Sequence, residues 1–278
     1  MGNINTIYII SKNRPECNTA KVLTELKYPG KWFICCQEDE EMLGDYIENW
    51  GEEKVLTYDY YKEVKNLDLF DIFEGLHYGC SPARNGADTI AQERGDKRYW
   101  ISDDDVYYFQ EAYSYKDSYK IIRDGDRIYK ILKKFSTLAD KTDLDCIALG
   151  SNNNYFSTDR YSIRYDCLYF INKKVDSKLK YGSRLTEDVI YAILAYHIPK
   201  YLNLRFNMFV TKRLEENKPL DVKTGGGLEA VYNEHDSLHY ASYVLLANPL
   251  TKVRKTTKGE YVTYGKMNNL APKILSGD

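Results

Sequence analysis

The first hundred residues alternate short β-branched apolar runs with stretches of helical spacing, and few folds accommodate that rhythm. Thr6-Ile7-Tyr8-Ile9-Ile10-Ser11 is the first run, and it stops at the polar Ser11-Lys12-Asn13-Arg14-Pro15. From Asn18 onward, Ala20, Val22, Leu23 and Leu26 recur at helical intervals. Lys31 to Cys36 reads as a second buried strand, Glu38 to Trp50 as an acidic helix stopped at Gly51, and Lys54 to Tyr58 as a third strand. Ser81 and Pro82 suit an N-cap and first turn, and Gly95 a stop, for a helix between them. Arg98-Tyr99-Trp100-Ile101-Ser102 is a fourth strand, and it runs into three aspartates. Strands joined through helices in this way pair in parallel. The sequence therefore predicts an α/β fold built on a parallel sheet of the doubly wound type.

Composition narrows the classes further. The chain has 278 residues, 43% hydrophobic and 29% charged, enough for one large α/β domain with a sizeable core. Disorder, collagen-like repeats and a pure coiled coil are excluded. No apolar run approaches the roughly 18 residues of a membrane span. A net charge of −2 argues against a histone-like binder that works by charge alone. The charge is uneven: residues 38–74 carry 13 acidic and 3 basic side chains, residues 248–278 carry 2 and 6. The acidic stretch suits a solvated helical face. The basic one, with Lys252, Arg254, Lys255 and Lys258, suits a soluble C-terminus or a phosphate backbone. The 27 tyrosines favour an aromatic-lined sugar or base site, or reflect compositional bias.

The six cysteines, at 17, 35, 36, 80, 146 and 167, form no C-x-x-C pair and fit reduced, buried thiols. Met1-Gly2-Asn3-Ile4-Asn5-Thr6 matches the short myristoylation pattern, but a core strand beginning at Thr6 argues against its use. With no basic-then-apolar leader and no glycosylation sequon, the expected address is the cytoplasm.

The segment Trp100-Ile101-Ser102-Asp103-Asp104-Asp105-Val106-Tyr107 carries the most chemistry. Three carboxylates ending an apolar strand are costly unless a cation sits among them. Strand alternation points Asp103 and Asp105 to one side, and open α/β sheets bind ligands beyond the carboxyl ends of their strands. Two carboxylates there suit Mg²⁺ or Mn²⁺ shared with substrate phosphates. An acidic turn with Asp104 capping a helix is the plainer alternative.

With Ile9-Ile10-Ser11-Lys12-Asn13-Arg14, Ala83-Arg84-Asn85, Ser102-Asp103-Asp104-Asp105, Glu187-Asp188 and Gly225-Gly226-Gly227-Leu228 in this order, the chain resembles the GT-A nucleotide-sugar glycosyltransferases. Among them it is most similar to the TET-associated glycosyltransferases, a largely viral group proposed to glycosylate hydroxymethylated pyrimidines in DNA. The resemblance implies one GT-A-like, Rossmann-related α/β domain over residues 1–278, with a mixed, mostly parallel central sheet flanked by helices, about 1–110 holding nucleotide sugar and metal and about 111–278 the acceptor. It implies a donor site of Ser11, Arg14, Arg84, Asn85, Asp103 and Asp104, and a metal, Mn²⁺ or Mg²⁺, on Asp103 and Asp105. One of His235 and His239 completes the metal shell in that pattern. Arg suits phosphate oxygens as a planar charged fork; its local alternative for Arg84 is an ion pair with Asp88 one turn on.

Glu187 and Asp188 open an amphipathic helix, where two acids favour any helix through its dipole. The sharper reading makes Asp188, or Glu187, the base that takes the acceptor proton in an inverting enzyme, while a retaining one would use the same carboxylates to position the acceptor. Ser151-Asn152-Asn153-Asn154-Tyr155-Phe156, followed by Arg160, Arg164 and Tyr165, offers stacking and amide groups to a flipped base.

The expected activity is transfer of a hexose or pentose from a nucleotide sugar, most simply a UDP-sugar, to 5-hydroxymethylcytosine or 5-hydroxymethyluracil in viral DNA. A glycan or protein acceptor, a nucleotidylyltransferase and a non-catalytic DNA-binding module are the alternatives.

Overall fold

In a computed structural model the chain is described over residues 6–65, 67, 79–114, 118–142, 146–151, 160–161, 168–172, 180–182, 191, 203–213, 252–257 and 261–264. Its elements are β1 (Ile7–Ile10), α1 (Asn18–Glu25), β2 (Trp32–Gln37), α2 (Leu43–Trp50), β3 (Val55–Tyr58), α3 (Tyr60–Lys65), α4 (Ser81–Glu93), β4 (Arg98–Asp103), β5 (Val106–Ser114), β6 (Ser118–Ile121) and α5 (Gly125–Thr142). They continue with β7 (Cys146–Ser151), β8 (Arg160–Tyr161), β9 (Leu168–Asn172), β10 (Asn203–Arg213), β11 (Lys252–Lys255) and β12 (Tyr261–Tyr264).

One ten-stranded sheet runs β3-β2-β1-β4-β9-β7-β10-β5-β6, with β8 against β10, while β11 and β12 form a separate antiparallel pair. The first four strands are parallel, as their helical connections require. The second half is mixed: β9 is antiparallel to both β4 and β7, and β10 pairs parallel with β7 and antiparallel with β5. β1 lies between β2 and β4, with Ile7 beside both Trp32 and Trp100. All four of its residues are buried, which is why an unbroken apolar run suits it.

Alternation sorts the side chains into two cores. Ile7, Ile9, Ile34, Cys36 and Trp100 face Ala20 and Leu23 of α1, Tyr46 of α2 and Ile128 and Leu132 of α5. Tyr8, Ile10, Cys35, Tyr99 and Ile101 face Ala87, Ile90 and Ala91 of α4. Gly86 allows α4 to lie against β3, because a Cβ there would run into the ring of Tyr58.

Two local expectations shift. The helix expected from Glu38 begins only at Leu43, because Glu38–Met42 form turns in which Glu40 is buried and accepts the Asn13 N–H at 3.2 Å. Ser81 is the first residue of α4 rather than its N-cap, a position taken by Cys80. Among the described residues no helix is long and apolar enough to cross a membrane. Arg254 and Lys255 of the basic segment are exposed on β11, while Lys258 lies outside the described residues.

Candidate active site

Strand order reverses between β1 and β4: the chain winds outward from β1 through β2 to β3, then returns to β1's other side. Such a reversal opens a crevice beyond the carboxyl ends of the two strands, the usual ligand site of open α/β sheets. Here Ile10 of β1 lies beside Asp103 of β4. The loop from Ser11 to Arg14 and the three aspartates therefore meet across one crevice, although they are about ninety residues apart in sequence.

β4 ends at Asp103, and Asp104–Asp105 form the turn into β5. Strand geometry thus ends two residues short of Asp105, yet burial still alternates: Asp103 and Asp105 are half-buried and Asp104 is buried. The N-terminus of α1 holds this turn. Thr19 N–H donates to the Asp104 carbonyl at 3.0 Å, its hydroxyl donates to the Asp103 carbonyl at 2.7 Å, and Val106 N–H donates back to that hydroxyl at 3.0 Å. A helix N-terminus has spare N–H groups, and one of them is used here on the aspartate turn.

Asp104 turns inward. Its carboxylate accepts from Ser11 Oγ at 2.7 Å and from Arg14 Nη1 at 2.9 Å. Arg14 N–H donates to Tyr46 Oη at 2.9 Å, and Tyr46 Oη lies 2.7 Å from Ser11 Oγ. Since the Ser11 proton goes to the carboxylate, the Tyr46 proton goes to Ser11, and the chain of donors runs Arg14 N–H, Tyr46, Ser11, Asp104. Burial pushes the Asp104 carboxyl up to about 6, against the pull of the Arg14 guanidinium and the Ser11 bond. Ser11 and Asp104 are thereby committed to each other and join the post-β1 loop to the aspartate turn. Asn13 makes that loop's bend in the left-handed region (φ 53°), which Asn tolerates better than most residues.

Arg84, only 5% exposed, donates from Nη2 to Asp103 Oδ1 at 3.3 Å and lies over the Tyr181 ring at 5.8 Å. Its partner is therefore Asp103 across the crevice, while Asp88 pairs with Lys180 and accepts from Tyr99 and Gln92. Asn85 is fully buried. Its amide nitrogen donates to the Tyr181 carbonyl at 2.9 Å and its amide oxygen accepts the Tyr181 N–H at 2.8 Å. Both ends of the amide face protein, so this side chain meets a donor only through what it holds in place.

Asp103, Arg84 and Arg14 thus gather at one crevice, with Ser11 and Asp104 packed beneath and Asp105 the last residue of the same turn. Asp103 and Asp105 fit a hard divalent ion, because such an ion needs one or two carboxylates and fills its shell with water and phosphate oxygens. Among the described residues no set of three His, Cys, Asp or Glu side chains is grouped to hold a metal. His235, His239, Glu187, Asp188, Gly225 to Gly227, Asn152 to Phe156, Arg164 and Tyr165 lie outside the described residues. Sequence reasoning missed Tyr46, Thr19, Glu40 and Tyr181. Only Thr19 carried a local signal, a hydroxyl in the first turn of a helix.

A comparison with curated proteins finds no match. Among solved structures, glucosyl-3-phosphoglycerate synthase from Mycobacterium tuberculosis, in complex with Mg²⁺ and uridine diphosphate, superposes with a TM-score of 0.52 at 9% identity, covering 95% of this chain and 87% of that one. Mannosyl-3-phosphoglycerate synthase from Rubrobacter xylanophilus gives 0.45 at 11% identity, covering 97% and 89%. The first of these likenesses is one of fold and agrees with a GT-A-like architecture. The family model of the TET-associated glycosyltransferases matches residues 5–216, which include every strand of the large sheet and the whole crevice. The chain belongs to the TET-associated glycosyltransferase family and is a glycosyltransferase.

Proposed function

We propose that the chain transfers a sugar from a nucleotide-sugar donor, most simply a UDP-sugar, to the hydroxymethyl group of 5-hydroxymethylcytosine or 5-hydroxymethyluracil in DNA. The observation that carries the donor half is the half-buried Asp103 carboxylate, ion-paired with the Arg84 guanidinium at 3.3 Å at the β1–β4 crevice, with half-buried Asp105 two residues on in the same turn. Support for a uridine diphosphate and a divalent ion comes from the M. tuberculosis synthase of similar fold, solved with both. The DNA acceptor rests on the family's name, and the cytoplasmic address on the sequence.

In this reading Asp103 and Asp105 hold Mg²⁺ or Mn²⁺, with His235 or His239 as a further ligand. When bound, the ion neutralises charge on the departing diphosphate. Arg84 and Arg14 face the donor phosphates as fixed positive charges. Asp188, or Glu187 beside it, takes the hydroxymethyl proton as the acceptor oxygen bonds to the anomeric carbon. The bond from that carbon to the phosphate oxygen breaks, and the nucleoside diphosphate leaves with the electron pair. A base inside a duplex hides its hydroxymethyl group less when flipped out, and the aromatic, amide-rich stretch after Ser151 suits a flipped base.

Asp105→Asn tests the donor half. The variant should fold with a melting temperature near that of the wild type, yet lose transfer by about 100-fold or more. The thermal shift given by UDP with Mn²⁺ should vanish as well. Full activity in that variant would remove the carboxylate pair from the reaction. Transfer to hydroxymethylated but not unmodified DNA tests the acceptor.

A further inference from the structure

Between Ser11 and Cys17 the backbone enters the left-handed region twice, at Asn13 (φ 53°) and Cys17 (φ 32°). Such a conformation persists only where the surroundings impose it, and here α2 and the turn before it supply the restraint. Glu40 accepts the Asn13 N–H at 3.2 Å. Tyr46 Oη accepts the Arg14 N–H at 2.9 Å and donates to Ser11 Oγ at 2.7 Å. The Pro15 carbonyl accepts from Asn49 Nδ2 at 3.2 Å and from Trp50 Nε1 at 2.7 Å. Two of these anchors are themselves fixed by the core. Tyr46 is fully buried, and Trp50 packs edge-on against Trp32 of β2 with ring centroids 5.9 Å apart.

What this loop carries to the crevice is Arg14. Its Nη1 donates to buried Asp104 at 2.9 Å, while its Nε and Nη2 have no hydrogen-bond partner among the described residues. The Arg14 side chain is 23% exposed and that of Asp104 only 9%, so the guanidinium is gripped on its inner side alone. A planar fork held in this way keeps its remaining N–H groups for an anion. We infer that Tyr46 is a positioning residue: its hydroxyl, the node between the Arg14 N–H and Ser11, sets the loop so that Arg14 meets Asp104 on one side and the donor diphosphate on the other. The consequence for the donor rests on the function proposed above; the anchoring of the loop does not.

Hydrogen exchange and kinetics on the full chain test the two parts separately. Tyr46→Phe keeps the buried ring and removes the node. In that variant the Arg14 amide, followed by NMR, should exchange about 10-fold faster or more, while β1 and β4 keep their protection. The donor KM should rise about 10-fold with kcat within about twofold. Introduced into Arg14→Ala, the same change should move the donor KM by less than about twofold, because Tyr46 acts through Arg14. Trp50→Phe, which removes the indole bond to Pro15, should show the same dependence on Arg14, and it carries both tests should Tyr46→Phe not fold. Unchanged exchange at Arg14 overturns the anchor. Effects of Tyr46→Phe and Arg14→Ala that multiply in the double variant overturn the positioning role and leave Tyr46 a general support of the fold. A wild type that binds no sugar nucleotide with Mn²⁺ would sink the donor reading instead, and exchange alone would then decide the anchor.

Discussion

Thr19 shows how much of the site depends on atoms that touch no ligand. Its one hydroxyl holds both sides of the aspartate turn, donating to the Asp103 carbonyl and accepting from Val106 N–H. Thr19→Val keeps the shape and removes both bonds, leaving the Asp103 carbonyl to the Ser102 hydroxyl at 3.0 Å and the buried Val106 N–H without the hydroxyl it donates to. The expected loss is about 2 kcal/mol in a denaturant titration, together with weaker binding of Mn²⁺ and UDP as Asp103 loses its support. Residue by residue, what could be read in advance was chemical type more than partner. Arg84 and Asp103 were both expected at the donor, but the local rule paired Arg84 with Asp88, four residues on. Tertiary contact won because Asp88 is held by Tyr99, Gln92 and Lys180. Asn85 bonds a residue 96 positions away, and no periodicity or spacing encodes such a pair.

At the scale of elements, α4 is the piece whose displacement would do most harm. It packs against β1, β3 and β4 through Ala87, Ile90 and Ala91, and Gly86 sets how near it comes to Tyr58. Gly86→Ala gains helix propensity of about 1 kcal/mol but overpacks that contact. The net expectation is a loss of about 1–2 kcal/mol, measurable as a lower melting temperature. Relief by the second change Tyr58→Leu would show that the ring is the obstacle.

Three of the four parallel strands, β1, β2 and β4, were legible because each carries a short, continuous run buried on both faces, while β3 at the sheet edge, with Thr57 exposed, was legible from its spacing after the helix. The start of α2 was not. Glu38 to Glu41 look like the acidic first turn of a helix, but Glu40 is spent on the Asn13 N–H of the neighbouring loop. The mixed second half was also illegible, since strands such as β7 and β9 find their places through partners far along the chain.

For the whole molecule, the interior is rich in groups that ionise only at high pH. Cys17, Cys35 and Cys36 are buried, and burial raises each thiol above its ordinary value. Tyr8, Tyr28, Tyr46 and Tyr58 are raised for the same reason. A group whose folded value is raised stabilises the native state fully below its unfolded value, about 8.5 for a thiol and about 10 for a phenol. That contribution is lost as pH climbs beyond it. The protein should hold its stability to about pH 8 and unfold cooperatively above about pH 10. The phenolate absorbance of the buried tyrosines should rise only together with the loss of circular dichroism. Alkylation at neutral pH should likewise spare these three thiols until denaturant is added.

The place of β1 has one more consequence, for synthesis on the ribosome. Its first partner, β2, follows within a short stretch of chain, but its second, β4, ends next to an aspartate that lies 93 residues beyond Ser11. At about 5–20 residues per second, the most apolar strand of the nascent chain keeps one open edge for on the order of ten seconds. An open apolar edge invites pairing with another chain. The acidic segment from Glu38 to Glu74 emerges during that interval, so nascent copies on one messenger carry like charge while their central strand waits for its partner.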